Sequence, residues 1–168
     1  MMYEMTNSML VKTLENLSQM LDKASHYAES KKFEMEVLMQ SRLAPDQFPL
    51  VRQIQIACDT AKFGASRLTG KEVKAHEDNE KTLGDVKSRI ASVVEILKSM
   101  KPADYAEAAT RKVTTPRWNG EHMIGLDFAH HHVVPNFYFH VTTAYAILRH
   151  NGVEIGKKDY LGALPMKK

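Results

Sequence analysis

The chain has 168 residues, 43% hydrophobic and 26% charged, a length and composition that fit one globular domain with a full core. Its net charge of +3 is mildly basic, but acids and bases alternate in KKFEMEV (31–37) and KEVKAHEDNEK (71–81) instead of gathering along one element, so nucleic-acid binding is not expected. A single cysteine, Cys58, excludes an intramolecular disulfide, no apolar run approaches the roughly 20 residues that span a bilayer, and MMYEMTNSML shows no basic region leading into a long apolar run, so a cytoplasmic protein without membrane contact is expected.

From Asn7 to Ala28 the residues Leu10, Leu14, Leu17, Leu21, Ala24 and Ala28 step by four and three, which marks one buried helical stripe, with Asn7 or Ser8 as the N-cap. A shorter, charge-rich helix is predicted over Lys32 to Ser41. It turns Phe33, Val37 and Leu38 inward and ends at Ala44-Pro45-Asp46. The next long helix runs from Pro49 to Leu68 on the stripe Leu50, Ile54, Ala57, Ala61, Ala65 and Leu68. Pro49 suits its first turn and Gly70 its C-terminal stop. Residues 71–79 are polar and read as a solvated connector. A third long helix is predicted from Glu80 to Met100, with Leu83, Val86, Ile90, Val93 and Leu97 facing inward and Pro102 ending it.

Residues 111–128 read as extended. RKVTTPRW and EHMIGLDF flank the tight-turn pair Asn119-Gly120, which predicts a small hairpin or an extended loop. Pro135 then opens the last long helix, Asn136 to His150, and Asn151-Gly152 stops it. Four long amphipathic helices, a short extra helix and a connection of about 35 residues before the last helix predict an all-α four-helix bundle formed by residues 1–168 as one domain.

The stretch AHHHVVPNFYFH holds four of the eight histidines. In an extended segment His130 and His132 share one side and His131 faces the other, so a consecutive triplet is a weak metal signal; a polar loop is the simpler reading. Asn136, His140, Ala144 and Ile147 instead form one helical stripe, and Gln53 lies between Leu50 and Ala57 on the stripe of its own helix. Three polar side chains aimed inward mean either a polar pocket or a hydrogen-bonded structural network, because buried polar groups find partners. Trp118 in the long connection is placed to cap such a pocket or anchor a partner, or packs within the loop. Tyr145, with Arg149 four residues on, is placed at a pocket wall or a dimer face. Cys58 reads as a small buried hydrophobe; a Cys58–His140 nucleophile pair is the sharper alternative. There is no Gly-rich phosphate loop, GxSxG elbow or CxxC motif.

NFYFHVTTAYAILRHNGVEIGKKDYLG (136–162), and more loosely SRLAPDQFPLVRQIQIACDTAKFGASRLTG (41–70), resemble the DinB/YfiT-like superfamily of four-helix bundles, and within it an uncharacterised domain-of-unknown-function branch. The resemblance implies a homodimer. In metal-binding members it implies three histidines on nickel or zinc, one on the second helix and an HxxxH pair on the last. Carried onto this chain, those positions fall on or near Gln53, on Asn136 and on His140, so one imidazole of three is kept. Amide oxygens are poor substitutes for imidazole on such ions. No tight metal site is therefore expected, unless His130, His131 or His132 folds back toward His140 as a substitute ligand. Three functions stay open: a small-molecule binder with a polar pocket formed by Gln53, Asn136 and His140 under the 103–134 segment; a metal-dependent transferase or hydrolase using His140; and a structural or interaction module. Whether the protein is an enzyme is left open.

Overall fold

The structure, a computed structural model, describes residues 1–167. In chain order the helices are α1 (Met9–Lys31), α2 (Met35–Met39), α3 (Leu50–Thr69), α4 (Leu83–Ser99), α5 (Gly125–Phe128), α6 (Val134–His150) and α7 (Lys157–Leu161). The long helices α1, α3, α4 and α6 form the predicted bundle, with α3 packed chiefly on α6 and α4, and α1 on α4. The stripes read from the sequence are the core: Leu10, Leu14, Leu17 and Leu21 of α1 and Ile54, Ala57, Ala61 and Ala65 of α3 are fully buried. Each such leucine contributes roughly 1.5–3 kcal/mol over its exposed state. No described helix is long and apolar enough to cross a membrane.

The helix ends differ from expectation where side chains found better partners. Asn7 and Ser8 do not cap α1, because a π-helical turn, Glu4–Ser8, runs straight into it. Asn7 is buried and donates instead to the Leu97 carbonyl (2.9 Å) at the C-terminus of α4, where carbonyls lack helical partners, and to the Tyr105 hydroxyl (3.2 Å). Lys32 takes the left-handed conformation that ends α1 (φ 61°), so the next helix starts only at Met35. That phase buries Met35, Leu38 and Met39 and leaves Val37 59% exposed, correcting the inward Val37. Pro49 is the N-cap residue of α3. Thr82 and Asp85 form a capping box that starts α4 at Leu83 and not at Glu80.

The predicted hairpin is present. β1 (Lys112–Val113) pairs antiparallel with β2 (Met123–Ile124), Lys112 opposite Ile124. Asn119 (φ 48°) and Gly120 (φ 90°) supply the left-handed turn. The following segment is helical sooner than expected. α5, a π-helical turn at Ala129–Val133 and α6 make one continuous run, Gly125 to His150. Gly125 starts it because the backbone comes close there: a Cβ would lie 1.8 Å from the Ala108 carbonyl oxygen. The π turn suits Pro135, which has no N–H to give and whose ring would crowd the carbonyl four residues back in a regular α-helix. The three consecutive histidines are thus helical, not extended.

Candidate functional site

A cleft of about 510 Å³ opens between α3, the π turn and the 3₁₀ turn Pro116–Trp118. Along α3 its wall carries Arg52, Ile56, Thr60, Phe63 and Arg67, spaced by three and four residues on one helical face. Trp118, His132 and Asn136 face them from the other side. Gly64 brings the two walls together: a side chain there would meet Val133 of the π turn at 2.8 Å, so only glycine lets the turn rest on α3.

His132 sits in an aromatic cluster, its ring 5.3 Å from Phe128 and 6.2 Å from Trp118, which itself meets Phe128 edge-on at 6.0 Å. Its Nδ1 is enclosed without a hydrogen-bond partner among the described residues. Burial, then the charge of Arg67, holds its pKa below the ordinary 6.5, which favours the neutral ring. Arg67 is half-buried, lies over the Phe63 ring at 5.6 Å, and has no ion pair or hydrogen bond among the described residues. Asn136 donates to Thr60 Oγ1 (2.7 Å).

The remaining expected site residues lie apart. Gln53 and His140 are buried and outside the cleft lining. Gln53 Nε2 donates to the Phe48 carbonyl (2.9 Å), which turns its amide oxygen to His140 Nδ1 at 2.7 Å. His140 therefore donates from Nδ1 and carries its lone pair on Nε2. Burial, aided by Arg52, keeps its pKa below 6.5. Gln53–His140 and Thr60–Asn136 are thus two separate hydrogen-bonded rungs between α3 and α6, and the three polar side chains do not converge on one point. Tyr145 packs edge-on against Tyr160 of α7 at 5.9 Å and is not part of the cleft. Cys58 is fully buried and its thiol is pushed up to about 12, chiefly by burial. No hydrogen bond joins it to His140 among the described residues.

Beside the cleft stands a charge network that the sequence reading missed. Arg89 of α4, 3% exposed, donates to Asp78 Oδ1 (2.9 Å) and Glu80 Oε1 (2.8 Å) and pairs with Asp59 Oδ1 (2.9 Å). Lys62 of α3, fully buried, pairs with Asp59 (3.3 Å) and donates to His76 Nδ1 (2.6 Å), so His76 gives its Nε2 proton to Ser92 Oγ (3.0 Å). Gln55 donates to Glu80 (2.8 Å), and Arg52 pairs with Asp78. Residues 76–79 of the expected solvated connector, and Glu80, expected to open the third long helix, are therefore clasped onto α3 and α4. The available signal was Lys62 directly after Ala61, a lysine at the edge of an apolar stripe.

The donor set does not fit a three-imidazole ion site. Gln53 and Asn136 stand where the resemblance implies imidazoles, and both amides are engaged by protein partners. His130 and His131 are exposed, and His132 is packed against Phe128 and Trp118. Among the described residues no three His, Cys, Asp or Glu side chains gather as a metal-binding group.

The sequence matches a domain of unknown function, DUF1993, over residues 2–161. A crystal structure of a DinB family member protein from Shewanella denitrificans is 54% identical, with 99% of this chain and 94% of that chain covered, at a TM-score of 0.96. No curated protein matches. The uncharacterised branch that the NFYFHVTTAYAILRHNG motif suggested is thus given by comparison as well as by motif, and the chain belongs to the DUF1993 family as a DinB-like helical bundle.

Proposed function

We propose that the protein binds a small molecule in the cleft between α3, the π turn and Trp118, without the superfamily's full three-histidine metal site. The observation that carries this reading is the cleft itself, walled by one face of α3 and by Trp118, His132 and Asn136. A concavity lined by aromatic side chains with a few polar groups among them is the usual form of a small-molecule site. The cleft volume, about 510 Å³, lies within the roughly 300–1,000 Å³ common for such sites. Asn136 and Trp118 belong to this cleft. Gln53 and His140 lie outside its lining and join α3 to α6.

Trp118 is the sole tryptophan, so its emission reports occupancy directly. A metabolite library screened by Trp118 fluorescence and thermal shift is expected to yield saturable ligands that His132→Ala weakens without lowering the melting temperature. A screen without ligands, or ligands indifferent to His132, would overturn the reading. A second reading has one observation in its favour: His140 presents a Nε2 lone pair and no hydrogen bond to it is formed among the described residues. In that reading His140 acts as a base, or as an ion ligand in a transferase or hydrolase. His140→Ala would then abolish an activity while the Trp118 titrations stay unchanged.

A further inference from the structure

We propose that the occupant of the cleft is a small organic anion, a carboxylate or phosphate ester on an aromatic or apolar group, gripped by Arg67 and Arg117 with its ring against Trp118. The inference rests on the small-molecule reading above and specifies its ligand.

The charges lining the cleft are unevenly answered. Arg52 is held by Asp78 and by Gln55. Asp59 is held by Lys62 and Arg89. Arg67 and Arg117 make no ion pair and no hydrogen bond among the described residues, so two cations of the cleft face it without a counter-charge. For Arg67 this is costly, because it is half-buried, and burial lowers its pKa. Its guanidinium lies over the Phe63 ring, which offers a π face but no counter-charge.

A guanidinium is a planar fork that matches two oxygens of a carboxylate or phosphate. A cationic ligand would meet two like charges, and a neutral one would leave Arg67 as it is. The apolar share of the ligand follows from Trp118 and Phe63, which give the cleft flat aromatic faces. His132 completes the lining on the side of Trp118, and its ring is packed against Phe128 and Trp118.

The full chain is titrated with benzoate, phenyl phosphate, inorganic phosphate, benzyl alcohol and benzylammonium, each followed by Trp118 emission. Benzoate or phenyl phosphate is expected to saturate the signal, with benzyl alcohol and benzylammonium at least about ten-fold weaker. Whichever of the two anions binds tighter tells carboxylate from phosphate. Arg67→Gln and Arg117→Gln are each expected to weaken the anion by about ten-fold, with the melting temperature held or raised. Equal binding of benzyl alcohol and benzoate would overturn the anion inference and leave the small-molecule reading standing. Equal binding of inorganic phosphate and phenyl phosphate would remove the aromatic part. Silence from all five overturns the inference; only a simultaneous blank in the metabolite screen would take the cleft reading with it.

Discussion

Arg89→Ala tests the charge network most directly. The side chain is 1% exposed and faces three carboxylates and the Glu77 carbonyl (3.3 Å). Removing it does not orphan all of them equally. The Asp59 side chain is 31% exposed and keeps Lys62; that of Asp78 is 41% exposed and keeps Arg52. Such partly wet pairs lose little. Glu80 is different: its side chain is 7% exposed, and it keeps only neutral partners, Gln55 and its own backbone N–H. One dry carboxylate is therefore left short of its cation, and the loss falls near the lower end of the roughly 3–5 kcal/mol that orphaning a buried ion costs. Urea unfolding measures it as a drop in midpoint at constant slope. The pH dependence supplies a second signature. Burial pushes Glu80 up, but hydrogen bonds from Arg89, its own backbone and Gln55 outweigh burial and hold it below its usual 4.5. Asp78 is likewise held below 3.8, against burial, by hydrogen bonds from Arg52 and Arg89. Stability from such groups is present above their unfolded values and is lost as the pH falls through their folded ones. The gap between wild type and variant should thus be complete at neutral pH and narrow in acid. A loss below about 1 kcal/mol, or one that does not change with pH, would refute the network as an anchor.

Other outcomes are expected. His76, His132 and His140 are all kept below 6.5, first by burial and then by neighbouring cations, so the unfolded chain binds protons that the folded one refuses. Stability should be complete above 6.5 and fall as pH drops below it, and a flat urea midpoint between neutral and mildly acidic buffer would contradict this. Gly125→Ala forces a methyl group into the Ala108 carbonyl and should cost about 2 kcal/mol or more by thermal unfolding; a neutral effect would mean that the close approach is not real. Gln53→Leu strands the His140 Nδ1 proton and should cost about 1–3 kcal/mol, with the Trp118 titrations little changed. Cys58, buried with a thiol pushed up to about 12, should resist a disulfide reagent at mildly alkaline pH until the protein unfolds, and rapid labelling of the native state would count against its burial.

The bundle was legible because its stripes are regular: Leu10 to Ala28 and Leu50 to Leu68 repeat by three and four with no competing pattern. The Asn119-Gly120 turn was legible for a similar reason, since few residues accept left-handed dihedrals. What escaped depends on partners distant in sequence. Asn7 looks like an N-cap until α4 offers Leu97, ninety residues on. Residues 76–80 look like surface until Arg89 and Lys62 meet them. Asn136 and His140 both turn toward α3, but one turn of helix sends them to different partners, Thr60 and Gln53. Periodicity finds a face; it does not say which rung of the neighbouring helix lies opposite. The π turn was hidden because AHHHVV carries no apolar rhythm, and Pro135 read more simply as a helix start than as an interruption.

That turn has a consequence for how the chain could be altered. A π turn holds one residue more than the α-helix around it, so it behaves as a single-residue insertion tolerated within a continuous helix. Removing one residue from 129–133 would restore regular winding and rotate everything before it by roughly 100° relative to α6. Gly125 would leave the Ala108 carbonyl and His132 would leave Trp118, while the helix itself stayed whole. In this fold, then, the two walls of the cleft are kept in phase by one surplus residue, and a deletion there would disconnect them without breaking any element.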